Sequence, residues 1–166
     1  MAVVTDPDID VVVEAIGGCG AARALVMAAI AHGKHVVTAN KALLALHGEE
    51  IFEAAHERGV VVAFEGAVAV SIPIVKALRE GLAANEVARL AGIVDGTSTF
   101  ILTQMREHGT SFHDALREAQ RLGYAEADPA FDVDGIDSAH KLALLASLRD
   151  GAADGPVACL RVESLQ

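Results

Sequence analysis

Residues 9–64 alternate between short β-branched segments and longer segments rich in helix formers, and this alternation restricts the fold more than any other feature of the chain. Three apolar runs predict strands, at 9–18, 34–39 and 60–64. The first run ends in two glycines and has the composition of a strand buried on both faces. Two intervening segments predict helices, at 21–33 and 40–59. This order is typical of right-handed crossovers, so we predict part of a doubly wound α/β domain with a parallel sheet.

The pattern changes after Phe64, where strands and helices no longer alternate strictly. The next predicted elements are a helix at 71–82, a strand at 86–96 and two helices with Ser or Thr caps and Gly stops at 97–109 and 111–123. An acidic loop and a final apolar helix follow. We therefore expect a first domain at 1–64 and a second domain of α+β type at 65–150.

The charge balance excludes one broad class of partner. The chain has 13 basic and 23 acidic side chains and a net charge of -10, whereas nucleic-acid-binding proteins present a basic surface. The sequence has no apolar stretch of about 20 residues and no basic leader before an apolar core, so we expect no membrane span and a cytoplasmic protein. Cys19 and Cys159 lack CxxC spacing, which suits reduced thiols in that compartment. The remaining expectation is a small-molecule site.

Residues 123–148 place five carboxylates before and at the start of the final apolar helix. At about 100° per residue, Asp137 and Lys141 fall on one stripe of that helix together with three leucines. Two interpretations stay open, an ordinary i, i+4 ion pair and a partly buried pair retained for chemistry. A calcium loop does not fit, because aligning Gly135 with the invariant glycine of such a loop puts Lys141 where a bidentate Glu is needed.

Four segments are specific as a set, through their order and their spacing. They read HVVTANKALLA (35–45), FEGAVAVSIPIVKALREGL (64–82), GIVDGTSTFILTQM (92–105) and LGYAEADPAFDVDGIDSAHKLALLASL (122–148). From about residue 7 to residue 150, the sequence resembles the homoserine dehydrogenases. The resemblance implies an oxidoreductase that interconverts L-homoserine and L-aspartate 4-semialdehyde with NADP or NAD, in threonine, isoleucine and methionine biosynthesis. It also implies a Rossmann-like domain, a catalytic domain and a homodimer.

The resemblance assigns the catalytic step to the final helix. Lys141 is implied as the acid/base that serves the substrate oxygen, with Asp137 one turn earlier orienting it. Substrate binding is implied for Glu126, Asp132, Asp137 and Lys41. Cofactor binding is implied for Gly17, Thr38, Ala39 and Lys41. As alternatives, Asp132 is a solvated loop carboxylate and Lys41 a surface lysine at a helix start.

The segment FEGAVAVSIP resembles a loop that holds a monovalent cation, Na+, in this family. The implied ligands are the carboxylate of Glu65 and the backbone carbonyls of Val68, Val70 and Ile72. Val70 and Ser71 stand where the family usually has two glycines, which reduces the freedom of the backbone. The alternative for Glu65 is a carboxylate at a helix start or an interface.

The segment GIVDGTSTFIL also departs from the family pattern. Asp95 stands where the family often has Asn. Thr97 and Ser98 are either a helix cap or residues that help to close the site around the cofactor.

Part of the family pattern is not recognisable in this sequence. A Gly-rich turn with the spacing that cradles a pyrophosphate is missing, and so is the residue that discriminates NAD from NADP. Residues 151–166 diverge as a tail. We therefore expect an interior fragment of the family's chain. Two alternatives are a truncated, non-catalytic chain able only to self-associate, and a piece of a bifunctional aspartate kinase/homoserine dehydrogenase.

Overall fold

The computed structural model of the protein describes residues 2–125 and 128–149. Its sheet has three parallel strands in the order β1-β2-β3, with the bounds Val11–Glu14, His35–Thr38 and Val62–Ala63. The connecting helices are α2 (Gly20–Ala31) and α3 (Lys41–Arg58), and a short helix α1 (Ala2–Thr5) precedes β1. The predicted α/β fold with a parallel sheet is confirmed, and the strands are shorter than the sequence suggests.

Local signals fix both ends of α3. At its start, the Asn40 side chain accepts a hydrogen bond from the Leu43 N–H at 3.1 Å, which satisfies a backbone donor that the helix itself leaves unpaired. At its end, Gly59 has a φ of 66°, a left-handed conformation that strains residues with a side chain. Within the four residues 38–41, the chain thus ends β2 and begins α3.

The core lies on one face of the sheet. Val36, at 1% exposure, belongs to a single buried cluster with side chains of α2 and α3. The opposite face carries four exposed valines, here called the outer valine face: Val11, Val13, Val37 and Val61. Val13 is 70% exposed, so the prediction that the first strand is buried on both faces is wrong. The physical reason is that right-handed crossovers running in one direction across a sheet place their helices on the same face.

The remaining described elements are all helical. They are α4 (Glu65–Val68), α5 (Ile74–Lys76) with a π-helical turn at Ala77–Gly81, α6 (Gly96–His108), α7 (Phe112–Arg121), α8 (Ala130–Val133) and α9 (Ile136–Arg149). The helices predicted at 97–109 and 111–123 are confirmed. The strand predicted at 86–96 is wrong, because a strand needs a neighbour for its backbone hydrogen bonds and the described chain places none beside it.

The described residues divide into two compact units. One contains the chain up to Leu90 together with α9 from His140 onward, and the other contains Ala91–Ala139. The second unit has its own small core around Ile101, Ala115 and Ala119. Phe100 packs against this core, and its ring lies 5.1 Å from that of the exposed Tyr124, between centroids. Within the described ranges, no helix combines the length and the apolar character that a membrane crossing requires.

Candidate active site

A buried carboxylate organises the carboxyl end of the sheet. Glu14, the last residue of β1, is 4% exposed, and its Oε1 accepts hydrogen bonds from the N–H groups of Ile16 at 2.8 Å and Gly17 at 3.0 Å. Its Oε2 accepts from the Thr38 hydroxyl at 2.6 Å. Thr38 in turn accepts from the Asn40 N–H at 3.0 Å. These bonds tie the loop after β1 to the loop after β2.

The same bonds explain the charge state of Glu14. Burial disfavours its ionised form, but hydrogen bonds from Thr38 and from two backbone N–H groups outweigh burial and lower the pKa of Glu14 below its ordinary value of 4.5. The side chain is therefore an anion at neutral pH, and it accepts hydrogen bonds from all three groups. Sequence reasoning missed Glu14, and the available signal was a single carboxylate inside an otherwise apolar β-branched run.

The four residues predicted to bind the cofactor all lie at this edge of the sheet. Gly17 follows β1 with a φ of 81°, and a Cβ added there would meet no atom within 4 Å. Thr38 ends β2, Ala39 follows it, and Lys41 is the first residue of α3. Gly66 of α4 approaches this loop closely, since a Cβ there would lie 3.4 Å from the Ala39 Cβ. The carboxyl end of an open parallel sheet is where ligands bind, so the arrangement fits a nucleotide cofactor.

Residues of the predicted cation loop make hydrogen bonds within the chain. Glu65 accepts hydrogen bonds from the N–H groups of Val75 at 2.8 Å and Lys76 at 3.0 Å, one on each oxygen. The carbonyl of Ile72 accepts from the Ile74 N–H at 2.8 Å. The two bonds to Glu65 place its carboxylate at the start of α5, which fits the alternative in which Glu65 serves a helix start. Between them, Ser71 has a φ of 69°.

A second group of polar residues is a cluster of three carboxylates, Asp95, Asp132 and Asp137, here called the carboxylate cluster. Each offers one oxygen, and the three oxygens lie within 4.8 Å of one another. Asp95 and Asp137 are buried, at 7% and 4% exposure. Two full charges at 4.8 Å repel by about 3 kcal/mol at an effective dielectric constant of about 20, so the cluster favours a cation.

The start of α6 positions Asp95. Its Oδ1 accepts a hydrogen bond from the Ser98 N–H at 2.8 Å, which makes Asp95 the N-cap of this helix. The Thr97 hydroxyl instead donates to the Tyr124 carbonyl at 2.7 Å, and the Ser98 hydroxyl donates to the Asp132 carbonyl at 3.4 Å. The helix-cap alternative for Thr97 and Ser98 is therefore wrong, because the preceding carboxylate occupies that position.

The helix α9 carries the predicted catalytic pair. Asp137 lies in its first turn, and Lys141, one turn later, is half-buried. Asp137 is 4% exposed and Lys141 is half-buried, so the pair is partly buried, as one of the two interpretations of the sequence expects. Glu126, the remaining predicted substrate ligand, lies outside the described residues.

The fold and this polar edge are typical of a nucleotide-binding α/β protein. A family model described as the NAD binding domain of homoserine dehydrogenase matches residues 1–65, and the homoserine dehydrogenase model matches residues 73–162. The chain belongs to the homoserine dehydrogenase family.

Curated relatives agree with this assignment. Homoserine dehydrogenase from Pseudomonas aeruginosa is 64% identical over 149 residues, which cover 90% of this chain and 34% of the relative. The homoserine dehydrogenase from Neisseria gonorrhoeae is 57% identical, over 92% of this chain and 35% of its own. The chain thus spans about a third of the length of these relatives.

Solved structures give the same result. A homoserine dehydrogenase from Thiobacillus denitrificans matches with a TM-score of 0.86 and 64% identity, over 88% of this chain and 34% of that one. A hyperthermophilic archaeal homoserine dehydrogenase in complex with NADPH matches with a TM-score of 0.76 and 34% identity, over 83% and 42% of the two chains.

Proposed function

We propose that this chain takes part in the NAD(P)-dependent interconversion of L-homoserine and L-aspartate 4-semialdehyde, in threonine, isoleucine and methionine biosynthesis. The observation that carries the proposal is the 64% identity to a homoserine dehydrogenase over 90% of the chain. At that identity the residues that bind and react are expected to keep their roles. The buried, hydrogen-bonded edge of the sheet and the carboxylate cluster support the same function, since each supplies a polar site on a rigid element.

The cofactor belongs at the carboxyl end of the sheet. We assign its contacts to Gly17, the backbone at Thr38 and Ala39, and Lys41. When bound, the nicotinamide supplies the hydride chemistry. Glu14 positions this edge, because it holds the Gly17 N–H and the Thr38 hydroxyl at once. The cofactor is NADP or NAD, and a relative is described in complex with NADPH.

The proton transfer belongs to Lys141. Lys141 is half-buried on α9, and we assign to it the donation of a proton to the aldehyde oxygen and the recovery of that proton in the reverse direction. Asp137, one turn earlier on α9, orients the ammonium. Substrate binding falls to Asp132, Asp137, Lys41 and Glu126.

Three finer assignments belong to the same proposal. A monovalent cation is held by Glu65 and the carbonyls of Val68, Val70 and Ile72, and its support is the sequence resemblance alone. The protein acts as a homodimer, and it works in the cytoplasm.

The test is homoserine-dependent reduction of NADP+ and NAD+ by the purified chain, followed by absorbance of the reduced nicotinamide. Lys141→Ala is expected to lower kcat by about 100-fold to 10,000-fold, the usual contribution of general acid–base catalysis. Lys76→Ala is the control, because Lys76 is exposed and pairs only loosely with Glu80 at 3.9 Å. Wild-type activity in the Lys141 variant contradicts its role, and a wild-type chain that neither turns over nor binds homoserine contradicts the proposed function.

A further inference from the structure

Asn40 joins two segments at the carboxyl end of the sheet. The residue is 9% exposed, and both ends of its side-chain amide have partners. Its Oδ1 accepts a hydrogen bond from the Leu43 N–H at 3.1 Å, and its Nδ2 donates to the Gly18 carbonyl at 2.7 Å. Leu43 belongs to α3, whereas Gly18 lies in the loop between β1 and α2. One side chain therefore holds the start of α3 to a residue that lies 22 positions earlier in the sequence.

The two contacts explain why this position holds asparagine rather than another capping residue. Asn, Asp and Ser cap helices about equally well, because a cap needs only an acceptor. The Gly18 carbonyl needs a donor, which an ionised carboxylate lacks. The amide offers an acceptor and a donor on two separate atoms, so it serves α3 and the loop after β1 at once.

The backbone groups of Asn40 also have partners within the chain. Its N–H donates to the Thr38 hydroxyl at 3.0 Å, and its carbonyl accepts from the Leu44 N–H at 3.2 Å. Buried polar networks with satisfied partners are rigid. Asn40 therefore has a fixed position, and it acts through the segments that it holds.

Those segments carry residues to which the cofactor contacts are assigned. Ala39 and Lys41 flank Asn40, and Gly17 precedes Gly18. Gly17 and Gly18 have φ values of 81° and 69°, a left-handed backbone that glycine adopts without strain. Glycine also has the most conformational freedom to lose, so two in succession need a fixed contact to stay in one conformation. The amide of Asn40 supplies that contact.

We propose that Asn40 is a positioning residue for the nicotinamide cofactor, because its amide holds the Gly17–Gly18 loop against the start of α3. The inference rests on the proposed function and deepens it, since it names a residue that orders the cofactor site through the backbone. The hydrogen bond to Gly18 fixes the loop after β1 relative to Lys41. Without that bond, the loop adopts several conformations, and binding of the cofactor has to select one of them.

Two substitutions separate the bond to Gly18 from the helix cap and from charge. Asn40→Ser keeps a neutral cap, but the single serine oxygen lies one atom closer to the backbone and falls short of Gly18. Asn40→Asp keeps the cap and the shape of the side chain, but it replaces the donor by an acceptor and adds a negative charge. Asn85→Ser and Asn85→Asp are the matched controls, because Asn85 is exposed.

The measurements are fluorescence titration with NADPH, calorimetric titration with L-homoserine and hydrogen exchange of residues 16–20, all on the 166-residue chain. Both Asn40 variants should weaken NADPH binding by about 3-fold to 10-fold, the loss typical of one hydrogen bond. Exchange at 16–20 should become faster before any ligand is added, and unchanged exchange would exclude the loop as the cause. Homoserine binding should keep its wild-type affinity, since the cap of α3 is retained. The Asn85 variants should match the wild type throughout.

Four binding results would contradict the inference. Equal NADPH affinity in the wild type and Asn40→Ser refutes it and leaves the proposed function intact. Weaker NADPH binding in Asn40→Asp alone assigns the effect to the added charge. Parallel loss of NADPH and homoserine binding, or loss of cooperative thermal unfolding, assigns Asn40 a general structural role. A wild-type chain that does not bind NADPH removes the proposed cofactor site, and the inference with it.

Discussion

Replacing Glu14 by Gln should destabilise the chain by about 2 kcal/mol at neutral pH. Three hydrogen bonds end on its carboxylate, two from backbone N–H groups and one from the Thr38 hydroxyl. A bond to a charged group contributes about 1 kcal/mol more than a neutral one, so the substitution loses about 3 kcal/mol in all. Burial of the charge opposes this loss, but the lowered pKa of Glu14 indicates that the hydrogen bonds outweigh burial, so a net loss of about 2 kcal/mol remains.

The direction of the Glu14 pKa shift also predicts how the effect of the substitution changes with pH. Because the pKa of Glu14 is lower in the folded chain than its ordinary value of 4.5, its contribution is present in full above that value. The contribution is lost as the pH falls through the folded pKa. The difference in unfolding free energy between the wild type and Glu14→Gln should therefore be constant from pH 7 to about pH 5 and shrink below pH 4.

Urea unfolding at several pH values is the assay, with Glu53→Gln of α3 as the control because Glu53 is exposed. The control should match the wild type throughout. Equal stability of Glu14→Gln and wild type at pH 7 would refute the reasoning. So would a difference that persists unchanged at pH 3, since a protonated Glu14 resembles the amide.

Two further predictions concern the backbone and the sheet surface. Ser71→Gly should raise the unfolding free energy by about 0.5–1 kcal/mol, because a φ of 69° strains serine. Ser71→Ala should not raise it, since alanine is strained in the same way. Thermal unfolding of both variants is the assay, and equal effects of the two substitutions would exclude strain. Val13→Lys should reduce self-association of the chain, measured by light scattering, because Val13 is the most exposed member of the outer valine face. A wild-type chain that is already a stable monomer would contradict this prediction.

The sequence predicts the sheet and its helices because those depend on local composition and on a strong topological rule. The runs around β1, β2 and β3 and the caps of α3 are visible in the residues themselves. Burial on one face only was missed, because it depends on the direction in which successive crossovers run. The strand expected at 86–96 failed for a related reason, since its β-branched residues indicate an extended chain and not the presence of a partner strand.

The residues of the candidate site also differ in how far the sequence predicts them. Asp137 and Lys141 could be found because helical periodicity places them on a leucine stripe. The position of Glu14 in an apolar run is visible in the sequence, but its hydrogen-bond partners are not, because the Thr38 hydroxyl comes from the next loop. The hydrogen bonds of Glu65 at a helix start likewise depend on contacts that spacing does not specify. The same holds for the Asp95 oxygen that has no hydrogen-bond partner within the described residues.

The bonds to Glu14 also decide when the loops at the sheet edge become ordered. They join residues 16 and 17 to Thr38 in the folded chain before any ligand arrives. Fixing the backbone of one residue costs about 1–2 kcal/mol of conformational entropy. Here the loops lose that entropy when the chain folds, and not when the cofactor binds. A preorganised edge leaves more of the contact energy for affinity. Substitutions at Glu14 should therefore weaken cofactor binding by loosening these loops.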